Sequence, residues 1–389
     1  MRKLETIFYI SVIIIFYTYI GYAALLYIIA AFLRTVRTKQ NEIVFTPSLT
    51  LIVSAYNEEN CMEEKIQNSL ALDYPAGSLH FIFVTDGSDD RTPAIVANYP
   101  QIKLLHAPER NGKTAAIDRA MREVRTDIVV FSDANTLLNH DALLHIGRHY
   151  ADKKTGAVAG EKRVDITGIS DAVSGEGFYW RYESMLKRSE SVLYSVIGAA
   201  GELFSIRTAL YESPPADTIV DDLVISMKIA GKGYRIRYEP LAYATEKVSA
   251  SVSEERKRKV RIAAGGIQAM LRLPFLLLPF PQPLLWFEYI SHRVLRWMVT
   301  PYLLIVVFLL NNWLVYWHNA KGLTVILLFA QFIFYAIALA GYLFQKKQLR
   351  FRLFFLPYYF CLMNYGMIEG ILRYLFGRQT VSWEKAVRR

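Results

Sequence analysis

The stretch Leu49-Thr50-Leu51-Ile52-Val53-Ser54-Ala55, followed at once by Tyr56-Asn57-Glu58-Glu59, decides the fold class. An uncharged run rich in β-branched side chains describes a strand buried on both faces. The polar turn after it marks where that strand ends. The same rhythm repeats downstream. Glu58 to Ala71 reads as a helix, Leu79 to Thr85 as a strand, and Arg91 to Asn98 as a short helix. Ile102 to His106 reads as a strand, Lys113 to Val124 as a helix, Asp127 to Ser132 as a strand and Asp141 to Tyr150 as a helix. This alternation predicts an α/β domain with a mainly parallel sheet covered on both faces. Such sheets bind ligands at the carboxyl ends of their strands.

The polar motifs stand at those ends. After the first strand, Tyr56 offers a ring for stacking and Glu58 a carboxylate; the plain alternative is a helix start with acidic first-turn residues. After the second, in Asp86-Gly87-Ser88-Asp89-Asp90, Asp86 is placed to accept from a pyrimidine N–H, whereas Asp89 and Asp90 read as turn and cap residues. Asn111-Gly112-Lys113-Thr114 opens a helix with a lysine suited to a diphosphate, without the glycine spacing of a P-loop. After the fourth strand, Asp133-Ala134-Asn135 sets two oxygen-bearing side chains two residues apart, a pattern able to hold one hard cation.

Further on, Gly198-Ala199-Ala200-Gly201-Glu202 is a small-residue loop that lets a substrate approach the backbone, or simply a flexible loop. Val220-Asp221-Asp222-Leu223 begins a helix. Two adjacent carboxylates there repel, which raises one pKa toward general-base use; helix capping is the equal alternative. Arg256-Lys257-Arg258-Lys259-Val260-Arg261 is the densest basic run, suited to phosphate or anionic lipid, or to a solvated helix face.

Outside this middle region the chain is apolar. Ile7 to Leu33, Trp297 to Trp317 and Gly322 to Phe344 carry no charge, long enough to cross a bilayer. Arg34, Arg37 and Lys39 after the first segment put the following domain in the cytoplasm by the positive-inside rule. Pro274, Pro279, Pro281 and Pro283 break any regular helix before an amphipathic segment, Trp286 to Trp297, that reads as lying in the membrane surface. Leu353 to Ile368 is short for a span, and the basic tail to Arg389 argues for a re-entrant or interfacial helix. The expected divisions are therefore residues 1–40, 41–271, 272–296 and 297–389. The net charge of +10 accompanies 53% hydrophobic residues, and the positive charge flanks membrane segments, which argues against nucleic acid as a partner. Two cysteines, Cys61 and Cys361, exclude a disulfide scaffold.

Taken in order, Tyr-Asn-Glu, Asp-Gly-Ser, Asn-Gly-Lys, Asp-x-Asn, Gly-Glu, Asp-Asp and a basic helix before membrane segments resemble the membrane-bound family-2 glycosyltransferases. That group holds the cellulose, chitin and hyaluronan synthases and the nodulation chitooligosaccharide synthase. The resemblance implies a GT-A (Rossmann-like) domain that uses a nucleoside-diphosphate sugar, usually a UDP-sugar. It implies that Tyr56, Glu58 and Asp86 contact the uridine, and Lys113, Arg258 and Arg261 the diphosphate. Asp133 and Asn135 would hold Mg²⁺ or Mn²⁺. Asp222 falls at the catalytic base, with Asp221 its acidic neighbour. Gly201, Glu202 and Ile262 fall on the acceptor side. The acceptor would be a glycan or a lipid-linked sugar, in a multi-pass protein of the cell membrane. Two positions depart from the family pattern. Asn135 stands where Asp is usual, and the Gln-x-x-Arg-Trp motif becomes Arg258-Lys259-Val260-Arg261-Ile262, keeping Arg261 and losing the tryptophan that supports the acceptor sugar.

Overall fold

In the computed structural model, residues 2–36, 45–165, 174–247, 252–346 and 352–377 are described. Arg37, Lys39 and the basic tail from Arg378 onward, on which part of the expected sidedness rests, lie outside them. Eight strands form one sheet: β1 (Leu49–Ala55), β2 (Leu79–Asp86), β3 (Ile102–Ala107), β4 (Ile128–Asp133), β5 (Thr136–Leu138), β6 (Thr155–Asp165), β7 (Leu203–Arg207) and β8 (Arg235–Lys247). Their order is β3-β2-β1-β4-β7-β6-β8-β5.

Every residue of β1 is buried, because it lies between two parallel neighbours under helices on both faces. Alternate side chains serve opposite cores. Ile52, Val129 and Phe131 face one, with Ala116, Ile117 and Ala120 of a helix; Leu51, Val53 and Val130 face the other, with Met62, Ile66 and Leu143. The parallel expectation holds for β3, β2, β1 and β4. Past β4 the sheet is mixed: β7 runs antiparallel to β4 and β6, and β5 antiparallel to β8. Periodicity reports that a strand is buried, not which way it runs, so this half was not legible.

The helices around the sheet are α2 (Glu59–Leu70), α3 (Thr92–Ala97), α4 (Lys113–Met121), α5 (Ala142–Gly147), α6 (Ser174–Leu193), α7 (Asp221–Gly231) and α8 (Val252–Arg272), after the N-terminal α1 (Arg2–Val36). Three more follow: α9 (Pro283–His318), α10 (Leu323–Lys346) and α11 (Arg352–Leu375). In α1, α9 and the 323–344 part of α10 the length and composition suffice to cross a membrane. Their exposed side chains are what lipid would solvate, among them Ile13, Ile28, Leu309, Ile326 and Phe329.

One expectation is corrected here. The amphipathic segment is not a separate surface helix; it is the first part of α9, continuous with the span, and it docks on the α/β domain. Glu288 and His292, which the sequence sets among the polar positions, are fully buried. His292 reaches Glu190 at 2.6 Å and Glu183 at 3.2 Å, and Glu288 accepts from the Ser195 N–H at 3.3 Å. Charges paired inside a protein have the same sequence spacing as charges facing water. α11 packs on α8, where Glu369 meets Arg256 at 3.4 Å.

Sheet register places the site. Ser54 pairs with Asp133, Ala55 with Thr85, and Asp86 with Ala107, so β1, β2 and β4 stop at one edge and present their motifs together.

Candidate active site

The loops at this edge lock one another. Asn57 adopts a left-handed conformation, φ 53°, and its amide group exchanges hydrogen bonds with Asp89 at 2.6 and 3.1 Å. Asp90 accepts from the N–H groups of Glu59 and Thr92, at the starts of α2 and α3, as its reading as a cap requires. Gly87 lies at φ 69°, and a Cβ there would fall 2.5 Å from Arg110. Any side chain at 87 would push Arg110 away.

A narrow cleft runs between Ser54, Tyr56, Asp86, Arg110, Gly112 and Lys113. Asp86 Oδ2 accepts from the Asn111 N–H at 2.8 Å and the Gly112 N–H at 2.6 Å, which ties the lysine loop to β2. Arg110, unnoticed in the sequence, lies with its guanidinium 3.8 Å from the Tyr56 ring centroid. Stacking on Tyr56 is thus already in use by a cation, and a base would share or displace it. Glu58 does not line this cleft. It is buried at the start of α2 and accepts from the Cys61 thiol at 3.3 Å.

Deeper in, Lys113 Nζ donates to Asp133 Oδ1 at 2.7 Å. Burial alone would depress this ammonium, but the Asp133, Asp221 and Asp222 carboxylates outweigh it and hold the pKa above the usual lysine range. Asp222 Oδ1 accepts from its own helix at the Leu223 N–H, 2.8 Å. Its Oδ2 faces Gly201, where a Cβ would sit 3.4 Å from that oxygen and 3.6 Å from Lys113 Nζ. The bare glycine thus keeps open an approach to both. Burial and the like charge of Asp221 push the Asp222 carboxyl up to about 7, with Lys113 opposing. Asp221 Oδ2 is buried and makes no hydrogen bond.

Lys65 supports this edge from behind. Fully buried, it donates to Ser132 Oγ at 2.7 Å and to the Thr136 carbonyl at 2.8 Å, and burial brings its ammonium down to about 7. Its signal was present in the sequence: a lysine between Met62 and Ile66 on the buried face of α2.

On the other side, Lys162 of β6 bridges Glu202 and Glu246. Burial would raise the Glu202 carboxyl, but Lys162 and Arg258 hold it well below the usual range. Trp180 of α6 lies beside this bridge, 5.0 Å from Lys162 Nζ, 5.1 Å from Lys259 and 5.9 Å from Arg258. The basic run of α8 is therefore not a solvated face. Arg261 points its charge toward Asp221, Asp222 and Asp133, and its Nη2 lies 3.4 Å from the Ile219 carbonyl. Ile262 is not brought to this group; it packs against the catalytic core. Lys162, Trp180 and Glu246 carry no motif and were missed.

A divalent cation fits the chemistry of the donors. Asp133 and Asn135 offer oxygens only, as Mg²⁺ and Mn²⁺ prefer, and Asp221 leaves a buried oxygen unused nearby. Among the described residues no three His, Cys, Asp or Glu side chains form a metal cluster, so most ligands would come from a bound diphosphate.

A family model, glycosyl transferase family 2, matches residues 50–212, which span β1 to just past β7. Over these residues the chain is similar to the family-2 glycosyltransferases. The poly-β-1,6-N-acetyl-D-glucosamine synthase of Staphylococcus aureus is 28% identical over 272 residues, 66% of this chain and 64% of that protein. The synthase of Staphylococcus epidermidis is 27% identical over 236 residues, 58% of this chain and 56% of its own. The chain thus spans less than two thirds of the length of these relatives. Among solved structures, a mannosyltransferase from Pyrobaculum calidifontis, in complex with GDP-mannose and Mn²⁺, superposes with a TM-score of 0.70. It covers 96% of this chain and 100% of its own at 24% identity, which establishes the shared GT-A fold.

The raised carboxyl of Asp222 gives this site a pH signature. With Asp222 as a general base, which works deprotonated, kcat/KM should climb as pH rises through about 7 and then level. Asp221→Asn removes the like charge that helps raise Asp222, so the acidic limb should move to lower pH. A pH–rate profile of both proteins checks this; an unmoved limb assigns the titration to another group.

Proposed function

We propose that the protein moves a sugar from a nucleoside-diphosphate sugar, a UDP-sugar, onto a glycan acceptor with inversion, in the synthesis of a cell-surface polysaccharide. The observation that carries this is the meeting of Asp222, Lys113 and Asp133 beneath the bare backbone of Gly201. Asp222 takes the proton from an acceptor hydroxyl entering over Gly201, worth about 10²- to 10⁴-fold in rate. Lys113 and Arg261 stabilise the negative charge that develops on the departing diphosphate. Tyr56 and Asp86 orient the base, with Arg110 above the ring. Asp133 and Asn135 would hold Mg²⁺ or Mn²⁺, which when bound neutralises diphosphate charge. Arg258 and Glu202, joined through Lys162 and Trp180, shape the acceptor side. The name of the staphylococcal relatives supports N-acetylglucosamine as the sugar.

A second reading is addition of a single sugar to a lipid-linked acceptor. Ile262 favours it, because a half-buried aliphatic side chain packed against the core supplies no ring platform for a growing chain. A third, an inactive nucleotide-sugar binder, is disfavoured by the retention of both Asp133 and Asp222. A cytoplasmic domain is supported by Arg34 at the end of α1 and by where nucleotide sugars are held.

Asp222→Asn should lower turnover at least about 10²-fold with little change in UDP-sugar affinity. EDTA should abolish UDP release, and Asn135→Asp should be tolerated. UDP release assays with UDP-glucose, UDP-N-acetylglucosamine and UDP-galactose decide; an Asp222→Asn protein of normal turnover refutes the base. For sidedness, cysteine introduced at Asp152 should stay unlabelled by an impermeant reagent in intact cells, and labelling would reverse the orientation.

A further inference from the structure

Where the catalytic domain meets the membrane helices lies a cavity of about 330 Å³ that the chemistry above does not use. That volume is within the range of small-molecule sites, roughly 300–1,000 Å³. Its walls come from five helices: Tyr19 of α1, Tyr182 of α6, Trp297 of α9, Phe334 of α10, and Phe360 and Met363 of α11.

Of the polar side chains on these walls, Tyr19, Tyr182, Arg296 and Asn364 are already engaged. Tyr19 donates to Asn364 Oδ1 at 2.7 Å, and Asn364 donates to the Phe360 carbonyl at 2.9 Å. Tyr182 donates to the Tyr19 carbonyl at 2.9 Å, and Arg296, also on the wall, is bound to Glu183 at 2.5 Å. A sugar in this space would have to break such bonds to satisfy its hydroxyls. A hydrocarbon chain needs none, and a cavity of this lining is a poor host for water. Three of the walls are helices long and apolar enough to cross a bilayer, so hydrocarbon is what surrounds them.

The cavity also lies against the helix that reaches the site. α8 carries Arg258 and Arg261 toward the carboxylates, and on another side its Gly266 is covered by the ring of Trp297, a cavity wall. Met367, a further lining residue, packs against the catalytic core.

We propose that this cavity holds the hydrocarbon chain of a lipid-carried acceptor, the sugar or phosphate head of that lipid being what the transferase domain glycosylates. The proposal rests on the transfer reaction proposed above and names its acceptor class.

The test uses the full chain in lipid nanodiscs and a dodecyl β-D-glucoside with a diazirine at the chain end. Photolabelling should fall on the peptide holding Phe360 and Met363, and Met363→Trp should reduce it at least about tenfold. Leu356→Phe is a second filling variant, in case the first fails to fold. Calorimetric affinity for the UDP-sugar should be unchanged in either variant. In transfer assays the dodecyl glucoside should have a much lower KM than methyl glucoside, and the filling variants should erase that difference.

Label spread over outward residues such as Ile326 and Phe329 overturns the proposal. So does cavity labelling with equal KM values for the two glucosides, which identifies a structural lipid. A wild-type protein that binds no UDP-sugar overturns the transfer reading and the acceptor role with it, whereas retained donor binding with failed labelling overturns the cavity alone.

Discussion

Three carboxylates around one ammonium are the constraint on which the rest of this structure depends. Lys113 begins α4 and Asp133 ends β4, the next element of the chain, whereas Asp221 and Asp222 begin α7, several elements later. Unpaired, the carboxylates would repel one another at short range. Lys113 at 2.7 Å from Asp133 offsets that repulsion, and the carboxylates in turn keep the lysine protonated. The sheet supplies the rigidity that the group needs. β1 is buried along its whole length, its register with β2 and β4 fixes where each strand stops, and Asp86 ties the Lys113 loop to β2.

α8 links that chemistry to the membrane. One side carries Arg258 and Arg261 toward the acidic group, and others receive Trp297 of α9 and the length of α11. The junction is secured by buried charge as well as by apolar packing. Glu183, Glu190, His292 and Arg296 bind one another across α6 and α9, so separating the two would break these buried contacts together. The catalytic domain and its membrane helices are therefore coupled by geometry as well as by chain connection.

Much of the first half of the fold was legible, because parallel strands buried on both faces leave continuous apolar runs and their polar motifs stand at the ends. The residues of the acidic group were legible too, since Asp-x-Asn, Asn-Gly-Lys and Asp-Asp are local patterns. What was not legible depends on partners distant in sequence. Glu58 looks like a ligand and is buried beside Cys61. Arg256, Arg258 and Arg261 look like parts of one solvated helix face and are divided among Glu369, Trp180 and the carboxylates. Glu288 and His292 look like the wet face of an interfacial helix and are fully buried. Lys162 and Trp180 stand in no motif, and only β6 and α6 bring them to Glu202.

Lys113→Met tests the central claim most directly, because it removes the ammonium that donates to Asp133 and offsets the charge of Asp221 and Asp222. With melting temperature measured as a control for folding, donor affinity by calorimetry and UDP release should both fall at least about tenfold. A folded Lys113→Met protein that binds and turns over UDP-sugar like the wild type would contradict the account.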